Sequence, residues 1–283
     1  MAKIILVTGA TGLQGGSVVR ALLRRGGFTV RALTRDVQGP RAKALAEKGV
    51  EVMAGDLSDR ASLDAALRGA HGVFSIQTVG KKEGDEQRQG IAVAEAAAAA
   101  KVEHLVYTSV GGAERKTGIP HFDSKFEIEE RIRALGVPHT ILRPVFFMEN
   151  LGTPRVARTI FLGMLYAAMG RQKPLQLIAV EDIGEIAGRA FAEPERFLGQ
   201  AIELAGDEMP LPQIQEAFRK RTGRPERALP FPRFVLNLMG STDLVIMIKW
   251  FGTHGYAADI PAVRAIHPGL LTLPQWLEKT RIP

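Results

Sequence analysis

The 283-residue chain contains no cysteine. This removes disulfides, thiolate metal sites, Cys-x-x-Cys redox pairs and a cysteine nucleophile together, and it suits a reducing cytoplasm. Long apolar runs are lacking as well. The longest patches, Ile160–Met169 and Leu244–Ile248, fall short of the roughly 20 residues that span a bilayer. Met-Ala-Lys leads straight into a strand, without the basic region, apolar stretch and cleavage site of a signal peptide. The expectation is a cytoplasmic protein with no membrane segment. Also missing are the G-x-S-x-G of a hydrolase nucleophile, a Walker A lysine and H-E-x-x-H. The six histidines are scattered without metal-ligand spacing, so no metal is expected.

What is present is ordinary for a globular protein: 46% hydrophobic and 24% charged residues, enough to bury a full core. Lysine and arginine number 37 against 30 acidic residues, a net charge of +7. Apart from Arg219–Arg221 the basic residues are dispersed, which argues for a solvated surface or an anionic ligand rather than nucleic acid.

Short β-branched runs alternate with stretches of helical period. Lys3–Val7, Thr29–Thr34, Glu51–Met53, Gly72–Ile76, His104–Thr108 and Thr140–Leu142 predict strands. Leu13–Arg25, Pro40–Glu47, Arg60–Arg68, Asp85–Ala100 and Phe122–Leu135 predict the helices between them. Such alternation implies an α/β fold, a doubly wound parallel sheet with helices on both faces. The alanine-rich Ala92–Ala100 reads as a helix packed closely on that sheet. Beyond Asn150 an apolar helix at Val156–Met169 is followed by strands at Gln176–Ile178 and Ala201–Leu204 around a helix at Asp182–Ala192. The expected division is a nucleotide-binding domain over 1–153 with a returning segment at 175–206. Residues 154–174 and 207–283 then form a smaller, mostly helical lobe.

The stretch LVTGATGLQGG sets Gly9, Gly12 and Gly15 between the first strand and its helix. In a strand–turn–helix of this kind the first glycine permits the tight turn. The second lets a pyrophosphate approach the backbone, and the third lets helix and strand pack closely. The helix N-terminus adds free N–H groups and a positive dipole. The second strand ends in Thr34, Arg35 and Asp36. An acidic residue there binds an NAD ribose, whereas an arginine accommodates the 2′-phosphate of NADP. Both are present; the planar fork of Arg35 favours NADP(H). In GDLSD, Asp56 can accept from an adenine amino group and Leu57 can cover the ring, while Asp56 and Ser58 could equally cap the next helix.

Together VTGATGLQGGSV, LTRD, GDLSD, HFDSKFEIEE and LRPVFFMENL resemble the NmrA-like branch of the short-chain dehydrogenase/reductase superfamily, in order along the whole chain. The resemblance implies an extended Rossmann fold that binds NADP(H), with a small C-terminal lobe over the nicotinamide end. It implies cofactor contacts from Gly9, Thr11, Gly12, Leu13, Gln14, Gly15, Arg35, Asp56, Leu57, Gln77, Thr78, Lys125, Phe147 and Asn150. The superfamily's catalytic pair is Tyr-x-x-x-Lys, aided by a serine at a strand end. Lys125 and Ser109 match that pattern, but the tyrosine position holds His121. The candidate catalytic residues are therefore Lys125, as a ribose contact, and His121, whose ordinary pKa of about 6.5 suits proton transfer near neutrality; a capping or solvent-facing histidine is the other reading. The family includes NADPH-dependent quinone reductases and non-catalytic NADP(H)-sensing regulators that act through protein partners. A small-molecule substrate and a regulatory partner are accordingly the two expectations.

Overall fold

The computed structural model describes residues 2–77, 84–238, 240 and 242–282. In chain order the strands are β1 (Lys3–Val7), β2 (Phe28–Thr34), β3 (Glu51–Ala54), β4 (Gly72–Ser75), β5 (His104–Thr108), β6 (His139–Pro144), β7 (Phe146–Phe147), β8 (Pro174–Ile178), β9 (Ala201–Leu204) and β10 (Asp207–Pro210). The first helices are α1 (Leu13–Arg25), α2 (Pro40–Ala46), α3 (Arg60–Leu67), α4 (Asp85–Ala99), α5 (Pro120–Ala134), α6 (Arg155–Met169) and α7 (Val180–Ala192). They are followed by α8 (Pro194–Phe197), α9 (Leu211–Thr222), α10 (Arg233–Leu238), α11 (Asp243–Thr253), α12 (Ile260–Ile266) and α13 (Leu273–Lys279). Among the described residues no helix is long and apolar enough to cross a membrane.

A seven-stranded sheet runs β3-β2-β1-β4-β5-β6-β9, the doubly wound order with one strand added. β1 pairs in parallel with β2, from Lys3 opposite Phe28 to Val7 opposite Ala32, and with β4 on its other side. The chain therefore reverses its direction of growth between β1 and β4. A crevice outside the carboxyl ends of the strands at such a point is where open α/β sheets bind ligands.

The central strands form where they do because both their faces are covered. Every residue of β4 and β5 is buried. The alanine-rich α4 buries Val93, Ala94, Ala96 and Ala97 in the core it shares with α5 and the sheet. Gly90 allows the close approach: a Cβ there would sit 2.4 Å from Ile128 Cδ1. The low-complexity look of this helix is thus a packing requirement. Beneath it lies a buried ion pair, Glu129 accepting from Arg143 Nε at 3.0 Å and from its Nη2 at 2.6 Å.

Contacts divide the chain into two units. The first comprises 1–110, 124–143 and 183–202; the second comprises 111–123, 144–182 and 203–283. The second contains a three-stranded sheet, β10-β8-β7. β8 does not rejoin the large sheet as its place in segment 175–206 led one to expect; of the two late strands only β9 does. β8 pairs instead with β10, antiparallel from Asp207 opposite Leu177 to Pro210 opposite Pro174, and with β7 in parallel. α5 also starts earlier than expected. Pro120 opens it, because a proline's fixed φ and missing N–H cost nothing in a first turn, and this draws His121 into the helix.

Candidate functional site

The site in the first unit is built around the β1–α1 turn. Gly9 has φ +59°, a conformation that disfavours other residues, and its carbonyl accepts from Gly12 N at 2.8 Å to close the turn. A Cβ on Gly15 would lie 2.3 Å from Gly9 O, so helix and turn touch backbone to backbone. Gly12 stands at the helix N-cap with no side chain capping the first-turn N–H groups, and that turn holds no acidic residue. Those donors and the dipole are left for an anion. Thr8 secures the turn to β4, accepting from Ile76 N and donating to Ile76 O, both at 2.8 Å.

Beside the turn opens a cavity of about 310 Å³. It brings together five of the residues expected from sequence: Gly9, Thr11, Arg35, Asp56 and Leu57. Leu33, Thr34, Asp36, Gly55, Ile76 and Gln89 complete the wall. Arg35 is exposed, and it has no hydrogen bond or ion pair among the described residues. Its neighbour Asp36 is partly engaged by its own loop. Asp36 Oδ1 accepts from Gln38 N at 3.0 Å, and Oδ2 lies 2.6 Å from where a Cβ of Gly39 would stand. Asp56 Oδ1 accepts from Ser58 N at 2.8 Å, while the cap of α3 is Asp59, which accepts from Ala61 N. Helix capping therefore does not fall to Asp56 or Ser58.

The other expected residues distribute as follows. Leu13 is exposed in the first turn of α1. Gln14 Oε1 accepts from Thr108 Oγ1 at 2.9 Å. Gln77 is buried after β4, its Nε2 donating to Ser75 Oγ while its Oε1 has no partner among the described residues; Thr78 lies outside them. Ser109 Oγ, at the end of β5, is likewise buried and unpartnered. Lys125 Nζ donates to Glu86 Oε1 at 2.7 Å, and both side chains are largely buried. Ser124 Oγ reaches the same carboxylate at 3.4 Å.

In the second unit, His121 Nδ1 lies 2.5 Å from Asp243 Oδ2 of α11, and its ring meets Phe122 edge-on. Phe147 belongs to β7, and Asn150 is exposed in the 3-10 turn Met148–Leu151. Glu149 in that turn accepts from Val180 N and Trp276 Nε1, each at 3.1 Å, and burial raises its pKa. None of the three tyrosines stands at the position of His121. Burial pushes the Tyr107 phenol well above its usual range, with Glu86 and Glu129 adding to the rise. Burial does the same to Tyr256, and to a lesser degree to Tyr166.

Sequence reasoning missed Glu86, Gln89 and Arg41. Glu86 and Gln89 sit on α4, three strands and three helices further along the chain than the glycine turn; Arg41 is on α2, its Nη1 donating to Thr11 O at 3.3 Å. No local motif marks them. The groups in place can bind an anion at the turn, a flat ring between Leu57 and the sheet edge, and a further charge at Arg35. Among the described residues no cluster of three or more His, Asp or Glu could hold a metal ion.

A model of the NmrA-like family matches residues 1–277. An NmrA-like family domain-containing oxidoreductase, FrzB, from a Cladobotryum species is 31% identical over 258 residues, covering 81% of this chain and 76% of that one. A (4-alkanoyl-5-oxo-2,5-dihydrofuran-3-yl)methyl phosphate reductase from Streptomyces griseus is 36% identical over 226 residues, covering 79% and 76%. Among solved structures, an NADPH-dependent quinone oxidoreductase from Escherichia coli in complex with NADPH superimposes with a TM-score of 0.80 at 24% identity, covering 98% of this chain and 99% of that one. The glycine turn, the doubly wound sheet and the match across 1–277 together place this chain in the NmrA-like family.

Proposed function

We propose that the chain is an NADP(H)-dependent reductase that passes a hydride to a quinone-like, flat electrophile. One observation carries the reading: the cavity beside the β1–α1 turn presents a guanidinium, Arg35, with no partner among the described residues, while Oδ1 of Asp36 already accepts from the N–H of Gln38. A dinucleotide fits the residues present. The turn leaves no room for a Cβ at Gly15 but does leave bare N–H groups for a pyrophosphate. Leu57 and Asp56 suit an adenine, and Arg35 suits a 2′-phosphate, to which its guanidinium makes charge-assisted hydrogen bonds. The names of the relatives, oxidoreductase and reductase, support the reaction class.

When bound, the reduced dinucleotide supplies the hydride. The chain's own part is to bind and orient. The helix N-terminus and Arg35 fix the phosphates, and Lys125, held by Glu86, is the group for the nicotinamide ribose. A phenol donor is not required, because a reduced quinone takes its proton from water. On adding a small quinone to protein and NADPH, absorbance of the reduced nicotinamide falls at a rate proportional to protein. If NADPH binds tightly yet no quinone or carbonyl turns over above background, the reductase reading fails. The NADP(H)-sensing reading, favoured by His121 in the tyrosine position and its pairing with Asp243, then stands.

A further inference from the structure

The second unit holds a cavity of about 360 Å³ whose wall, among the described residues, includes five arginines, Arg155, Arg158, Arg221, Arg224 and Arg281, and one carboxylate side chain, Glu226. That carboxylate is not available to four of them. Arg158, almost wholly buried, takes both its oxygens, Nε to Oε1 at 3.0 Å and Nη2 to Oε2 at 3.2 Å. The remaining Arg158 nitrogen donates to Leu151 O and Thr153 O, and its plane lies 4.4 Å over the Phe218 ring. Arg158 and Glu226 therefore form a closed, neutral structural pair.

The other four have no carboxylate partner among the described residues. Arg155 and Arg221 each spend one donor on a backbone carbonyl, Pro225 O at 2.6 Å and Leu277 O at 2.7 Å. These anchors fix the guanidinium planes and leave the other N–H groups to point elsewhere. The guanidinium groups of Arg224 and Arg281 have no hydrogen bond or ion pair among the described residues; Arg224 bonds only through its backbone, to Thr222. Four like charges around one concavity repel, and solvent and salt screen that repulsion less in a cleft than on a flat face. An occupant of opposite charge relieves it.

We propose that this cavity is a binding site, separate from the dinucleotide site, for a small oligoanion bearing two or more phosphoryl groups. The ligand class follows from the donors. Guanidinium forks bind phosphate in bidentate fashion, and pre-anchored forks lose little freedom on doing so. Four such charges exceed what one monoanion can balance, and the cavity is too polar for an apolar ligand.

The experiment is a calorimetric titration of tripolyphosphate into the full-length protein at about 150 mM salt, with NADPH saturating so that the glycine turn is taken. Saturable one-to-one binding is expected. The double variant Arg224→Glu with Arg281→Glu weakens it by roughly tenfold or more, since charge-assisted bonds are lost and like charges added. Both positions are exposed, so the variant folds, and an unchanged melting curve verifies this. Arg35→Ala leaves tripolyphosphate binding unchanged while NADPH is kept saturating. Absence of saturable binding, equal affinity in the double variant, or loss in Arg35→Ala overturns the site. Citrate binding as tightly as tripolyphosphate overturns the phosphoryl assignment.

Discussion

Arg35 and Asp36 are adjacent in the sequence and opposite in charge, and the backbone decides between them. Asp36 accepts the N–H of Gln38 through Oδ1, whereas the Arg35 guanidinium lines the cavity with no partner among the described residues. NADPH is therefore expected to bind more tightly than NADH. Arg35→Ala removes charge-assisted bonds worth roughly 1.5–3 kcal/mol and lowers NADPH affinity about tenfold or more, with NADH affinity little changed. Calorimetric titration of both nucleotides checks this, and equal wild-type affinities contradict it. A second residue-scale consequence concerns Glu86. A lysine and a glutamate mostly removed from water at 2.7 Å hold each other in place, and taking away one partner strands the other's charge. Glu86→Gln should cost about 3 kcal/mol in denaturant unfolding. Adding Lys125→Met to it should restore most of that stability without restoring nucleotide affinity. If the double variant binds NADPH as the wild type does, Lys125 is a purely structural residue.

The strand–turn–helix at β1–α1 shows at the scale of an element why three glycines are not equivalent. At Gly15 a methyl group would collide with backbone, Gly9 O at 2.3 Å and Ala10 N at 2.8 Å, neither of which can rotate away. At Gly12 the nearest atom stands 3.2 Å off, a contact that a small shift relieves. Gly15→Ala is expected to lower stability by about 1–3 kcal/mol and to lose nucleotide binding with it. Gly12→Ala is expected to melt nearly as the wild type does and still bind poorly, because its methyl projects where a phosphate must come. Melting and titration on the two variants separate the roles; equal destabilisation would refute the assignment.

Linear motifs made this turn legible in the sequence, together with Arg35, Asp56 and Leu57, because each lies at the end of a strand in a fixed rhythm. β7 was illegible because two residues carry no period. β10, Asp-Glu-Met-Pro, opposes strand propensity and forms only because β8 offers it an edge. Gln89, Arg41 and Glu86 were missed for another reason. Their helices are brought to the site by packing against the sheet, which no local stretch of sequence records.

Over the whole molecule, one buried histidine ties stability to pH. His104 Nε2 meets Thr140 Oγ1 at 2.7 Å, and the threonine's only proton goes to Phe197 O at 2.8 Å. Nε2 is therefore the donor of this bond, and Nδ1 is buried without a partner among the described residues, which favours the neutral ring. Burial, reinforced by His71 and His139, lowers its pKa from 6.5 to about 4. The unfolded chain takes up this proton near pH 6.5 and the folded one does so only near pH 4. Stability is therefore fully present above 6.5 and is lost as pH falls from there through about 4, by up to roughly 3 kcal/mol. Denaturant unfolding at a series of pH values should show this acid limb, and His104→Gln should flatten it. An unchanged slope in the variant would assign the loss to carboxylates instead.

The first unit is assembled from three separate lengths of chain, ending with 183–202. During synthesis the large sheet accordingly stays unfinished long after its nucleotide turn has left the ribosome. Until Gly199 and Gln200 emerge, the carbonyl of His139 and the N–H of Ile141, which they satisfy at 2.7 and 2.9 Å, line an open edge of β6. The nascent chain thus carries an adhesive margin for the time it takes to make some sixty further residues at about 5–20 per second, a window of several seconds in which chaperone or misassembly can reach it first.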